Sequence, residues 1–124
     1  MTELEARAGE LREQVGETLR GVVIADLRER DFDVIYMRED IWELYSDETQ
    51  QEIFEDAVFE AMGMDHKEDL FEPLGGLEAT VRVFEGGINV LAWTDDYGVF
   101  VGLGPEEDAI PPAVRAATEM QGMV

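Results

Sequence analysis

A chain of 124 residues in which 30 acidic side chains stand against nine basic ones carries a formal net charge of -21, yet 45% of it is apolar. That length predicts one domain, 1–124, and the apolar share excludes an acidic disordered tail. No run approaches the roughly 18 apolar residues of a membrane span. The opening MTELEARAGELRE lacks the apolar stretch of a secretory leader, and the absence of cysteine removes disulfides, thiolate metal sites and thiol nucleophiles.

The first predicted element is a helix over 2–19. Leu4, Ala8, Leu11, Val15 and Leu19 recur at spacings of three or four, and Thr2 with Glu5 fits a capping box. Two β-rich runs, 21–28 and 32–38, follow around the polar turn Glu29-Arg30-Asp31. Both are apolar on both faces near their centres, which predicts a sheet covered on two sides. The helical period returns from Asp40 to Met62, interrupted at Ser46-Asp47-Glu48-Thr49-Gln50. Two helices, 39–45 and 48–62, are expected, with Asp47 and Gln50 spaced as a second capping box and Gly63 as the stop. A connector with one helical turn at 66–71 leads through Pro73 and Gly75-Gly76 into three strands, 77–84, 88–94 and 97–103. Their turns are Glu85-Gly86-Gly87 and Asp95-Asp96-Tyr97-Gly98, the latter with Gly98 expected in the left-handed region. Pro112 suits the first position of a last helix over 112–121.

The predicted fold class is therefore α+β, a single five-stranded antiparallel sheet with helices on both faces in the order α-ββ-α(α)-βββ-α. This element order resembles the Roadblock/LC7 fold, whose relatives include profilin-like and PAS-like sheets. The resemblance covers nearly the whole chain and implies the strand order 2-1-5-4-3. In wording, IYMREDIWELYSDE followed by LGGLEATVRVFEGGINVLAW is similar to a family of small acidic haloarchaeal proteins of unknown function. That likeness implies a halophilic archaeal cytoplasm and supplies no catalytic residues.

The basic residues are eight Arg and one Lys, Lys67. Three uses of the acidity compete: mimicry of nucleic acid for a basic partner, calcium binding, and adaptation to a molar-salt cytoplasm. At about 1 M salt the Debye length falls to about 3 Å, which removes a self-repulsion that otherwise opposes compaction. The salt reading also accounts for the scarcity of lysine. The charge is concentrated in the middle third, where residues 31–72 hold fifteen acids against two bases.

Side chains capable of chemistry are few. His66, the only histidine, sits among carboxylates in Asp65-His66-Lys67-Glu68-Asp69 without zinc-site spacing, and reads as a surface residue. Ser46, the only serine, lies at a helix boundary with no partner base in pattern, and reads as a cap. Asp95 and Asp96, with Glu106, Glu107 and Asp108, lack a calcium-loop pattern. The glycine pairs precede strands and read as turns rather than phosphate cradles. No basic stripe exists for nucleic acid. No catalytic residue, cofactor or metal ligand is assigned, and the chain is read as non-enzymatic.

Two functions remain. The first is an interaction domain, self-associating as a homodimer or binding an unidentified protein. Its surface would comprise Trp42 and Phe59, which fall off the core stripe of the middle helices, and the edge 77–84 with Thr80 and Arg82. The second is a PAS-like small-molecule sensor, with a pocket between sheet and middle helices lined by Tyr36, Phe54 and Trp93.

Overall fold

The computed structural model describes residues 2–94 and 96–124. Helix α1, Glu3–Val15, begins where the Thr2 hydroxyl accepts the backbone N–H of Glu5 at 3.1 Å. It stops four residues earlier than its apolar period implies. Gly16 takes φ 68°, a conformation that side chains disfavour, and turns the chain through one 3₁₀ turn. Leu19 is thereby the first residue of strand β1, Leu19–Asp26, rather than the last of a helix. Strand β2, Asp31–Met37, returns beside β1 after a turn in which Arg30 has φ 55°. A register shift between Val22 and Val23 bulges this pair.

Helix α2 is a single turn, Glu39–Trp42, and α3 spans Asp47–Met62. The cap of α3 is Ser46, the helix-boundary serine read as a cap, rather than its neighbour Asp47; its hydroxyl accepts the Thr49 N–H at 3.1 Å. Helix α4, Met64–Leu70, and a 3₁₀ turn at Glu72–Leu74 fill the connector. The meander consists of β3, Ala79–Phe84, β4, Gly87–Trp93, and β5, Tyr97–Leu103. Gly98 is not left-handed: it lies inside β5, paired with Trp93 and Ala25, and a Cβ there would touch the Trp93 ring at 3.3 Å. Asp95, the other half of that expected turn, lies outside the described residues. Helix α5, Ile110–Gln121, starts two residues early, and both prolines sit in its first turn, where backbone donors lack partners anyway.

The sheet order is β2-β1-β5-β4-β3, all pairs antiparallel. Helices flank both faces, as the doubly apolar strands require. On one face α1 and α5 close the core: Ala8 and Leu11 from α1, and Ala113, Ala116, Ala117 and Met120 from α5, meet Val22, Ile24, Val90, Ala92, Val99 and Val101. The alanines let α5 approach the strands closely, and each fully buried aliphatic side chain contributes about 1.5–3 kcal/mol. Arg7 Nε donates to Glu119 at 2.5 Å, tying α1 to α5. Edge strand β2 departs from expectation: it is largely exposed or half-buried, and Val34 keeps 38% of its surface.

Candidate functional site

The opposite face is built differently. Strand pairing places Val23, Phe100 and Leu91 in one row across β1, β5 and β4, with Val34 on β2 completing it. The next row toward the sheet end runs Gly21, Gly102, Asn89 and Arg82. Of the two glycines in that row, Gly21 lies under the Met37 side chain, 2.8 Å from where a Cβ would stand, and Gly102 leaves the floor low; α2 and α3 bridge over it. Between floor and helices lies a cleft of about 610 Å³. Its walls are mostly apolar and include Phe32, Ile41, Trp42, Tyr45, Ile53 and Phe54.

Two anchors hold the bridge. At one side the Phe54 ring meets Phe32 on β2, centroids 6.3 Å apart. At the other, Arg82 on β3 donates to Asp56 at 2.6 Å and to Glu60, and the Thr80 hydroxyl donates to Glu60 at 2.9 Å. The entry to α2 is fixed by Arg38. Its guanidinium forks onto both Asp40 oxygens at 2.7 and 2.6 Å and donates to the Glu17 carbonyl at 2.5 Å. The fork holds the Asp40 carboxyl below its ordinary range and raises the Arg38 guanidinium further.

At the polar end of the floor stands Arg20, on β1. Its side chain passes over Gly102, and one terminal nitrogen would lie 2.8 Å from a Cβ at Gly87, so the glycine makes room for it. Arg20 Nε is buried without a hydrogen-bond partner among the described residues. Nearby, Glu106 is held below its ordinary range, first by the hydrogen bond from the Thr18 hydroxyl, then by its own backbone N–H and by the Arg20 charge.

The expected site residues do not form two coherent groups. Phe54 lines the cleft, but Tyr36 lies on the α1 side of the sheet, half-buried beneath Arg12, whose guanidinium sits 5.0 Å from the ring centroid. The bulge in the first hairpin puts Tyr36 opposite Val22, a core residue of that side. Trp93 borders a second hollow, with Leu27, Val58, Met62, Met64 and Leu77, and its indole Nε1 is buried without a partner among the described residues. Trp42, expected on an outer surface, is 45% exposed and also lines the cleft. Thr80 and Arg82 lie on the edge strand, but their side chains are committed to α3 of the same chain. Phe59 points outward with 78% of its surface exposed.

His66 is exposed on α4, and no group of three His, Cys, Asp or Glu side chains among the described residues is placed to hold a metal ion. No helix among them is long and apolar enough to cross a membrane. The sequence reading missed Arg20, Asn89 and the glycine floor. The available signal was Gly98 and Gly102, four residues apart and hence on one face of a strand that is otherwise apolar.

A family model described as a domain of unknown function (DUF7522) matches residues 5–123. No curated protein matches the chain. Among solved structures, a Roadblock/LC7 domain from Streptomyces avermitilis superposes with a TM-score of 0.63 at 12% identity, covering 99% of this chain and 95% of the other. The gliding protein mglB from Thermus thermophilus superposes at 0.53 and 12% identity, covering 100% and 95%. At such identities the likeness concerns the fold, which is of Roadblock/LC7 type.

Proposed function

We propose that this chain, which belongs to the DUF7522 family of unknown function, is a halophile-adapted, non-enzymatic interaction domain that self-associates. The observation that carries this reading is the open edge of β3. It is the last strand of the sheet, and Val83 and Phe84 keep 59% and 56% of their surface. An apolar edge strand of this kind offers unpaired backbone groups to another chain. Through Glu60 the outer helix α3 is tied beside that edge, and Phe59 and Met62 on it are 78% and 76% exposed. Strand edge and helix side together form an apolar surface suited to a second copy. Trp42 is not part of it. The charge of -21 calls for screening before two such chains can meet.

Sedimentation equilibrium in about 2 M KCl is expected to return twice the 14.0 kDa chain mass, and V83K and F59E each to lower it toward one chain. Circular dichroism at about 20 mM KCl is expected to lose much of the helical signal that molar salt restores. A single-chain mass at high protein concentration overturns self-association, and equal folding in both salts overturns the adaptation.

A second reading, a small-molecule sensor of PAS-like form, is favoured by the cleft of about 610 Å³, which lies within the usual size of ligand sites.

A further inference from the structure

The polar groups of the cleft are segregated. Its floor is apolar through Val23, Phe100 and Leu91, while the adjoining row carries Asn89 and Arg82, with Arg20 beyond Gly102. The charge of Arg82 is already answered by Asp56 and Glu60. Arg20 has no ion pair and no side-chain hydrogen bond among the described residues, its Nε is buried, and it lines the cleft. The Nε is covered by protein, so an acceptor from outside would meet the terminal nitrogens, and a guanidinium that lines an apolar cleft with no ion pair calls for such an acceptor. Two nearby acids do not supply it: Glu106 feels the Arg20 charge but forms no ion pair with it among the described residues, and Glu52, which also lines the cleft, is exposed. The missing acceptor is best placed on a molecule whose remainder is apolar.

We propose that the cleft binds an amphipathic organic anion. One carboxylate head would be received by Arg20 with Asn89 beside it, and an apolar body would lie on Val23, Phe100 and Leu91 beneath Phe54. A guanidinium suits a planar carboxylate through two parallel hydrogen bonds. Gly102 in the head-group row lets the head approach the strands. The net negative charge of the chain does not oppose entry in molar salt, where the Debye length is about 3 Å. This inference rests on the sensor reading and adds to it the charge of the ligand and the residue that anchors it.

The test compares decanoate with the neutral 1-decanol at pH 8 in about 2 M KCl, by calorimetry and by the emission of Trp42 on the cleft wall. Decanoate is expected to bind at least about tenfold more tightly than the alcohol, the range of a hydrogen bond to a charged group. R20Q is expected to bring the two within about twofold of each other, and R20K to restore part of the difference. The comparison on the unsubstituted chain stands even if a variant fails to fold. Equal binding of acid and alcohol overturns the anion inference and leaves the sensor reading intact. Binding of neither, by a protein with native circular dichroism, overturns both. If in addition W42E splits a dimer, the cleft belongs to a second copy of the chain.

Discussion

The two faces of the sheet are made by the same strands and packed by different rules. Along β5, Val99 and Val101 turn toward α1 and α5 and are completely enclosed, whereas Phe100 between them turns toward α3 and is half-buried. On the first face small alanines bring a helix down onto aliphatic side chains, and dispersion and burial supply the cohesion. On the second face a bridge of helices is pinned at its sides, by Phe54 against Phe32 and by Arg82 against Asp56 and Glu60, with a cleft beneath it. One face therefore supports the fold and the other is available for function, in line with the way stability and binding sites are distributed in proteins generally.

The sharpest way to break that contrast is to delete matched apolar groups on each face. L11A, at a position with no exposed surface, is expected to cost about 2–5 kcal/mol in urea unfolding, while I53A on the cleft wall should cost less than about 1 kcal/mol, because no packed partner is lost. Equal losses would mean that the cleft is as well packed as the core.

A smaller effect is expected for the ionic anchor. R82M should lower stability by about 1–2 kcal/mol, since Glu60 is largely covered and would lose its charged partner, keeping only the Thr80 hydroxyl. Hydrogen exchange should speed up across 47–62 and stay unchanged in β1, β4 and β5. Uniform acceleration would show that α3 is held by the core rather than by its clamp.

The smallest effect belongs to the Arg38–Asp40 fork. The folded-state pKa of Asp40 is depressed, so near its ordinary range the unfolded chain binds more protons, and stability rises with pH through that window. The contribution is present above the ordinary aspartate value and disappears as pH falls through the depressed one. D40N is expected to flatten the acid side of the stability profile by slightly lowering the plateau above the ordinary aspartate range, and to leave stability below the depressed value nearly unchanged. An unaltered acid limb would remove the fork from the account of how α2 is positioned.

Much of this architecture is legible in the chain. The strand-like runs at 77–84, 88–94 and 97–103, the Thr2 cap and the break at Ser46 locate the elements to within a few residues. The misplacements have local causes. Gly16, with its positive φ, ended α1 where the apolar period still ran on through Leu19. Asp47 and Ser46 are both competent caps, and only the backbone geometry selected the serine. The pocket expected between sheet and middle helices joins Tyr36 and Trp93 with Phe54. The bulge in the first hairpin instead turned Tyr36 to the α1 side, and Trp93, at the last position of β4, borders the second hollow on the other side.

The amino-acid order alone determined the sequence of helices and strands, the meander and the sheet fold they imply, because hydrophobic period and turn chemistry act over a few residues. It also determined the net charge of -21. Which face is filled and which is left open was decided only in three dimensions. A strand that is apolar on both sides carries the same signal whether its cover is a tightly seated helix or a bridge above a cleft. Arg82 and Arg20 are both arginines in strands; the first gained two carboxylates from a helix 22 and 26 residues away in the chain, and the second was left beside a glycine floor. That difference is one of spatial neighbours, which local pattern does not encode.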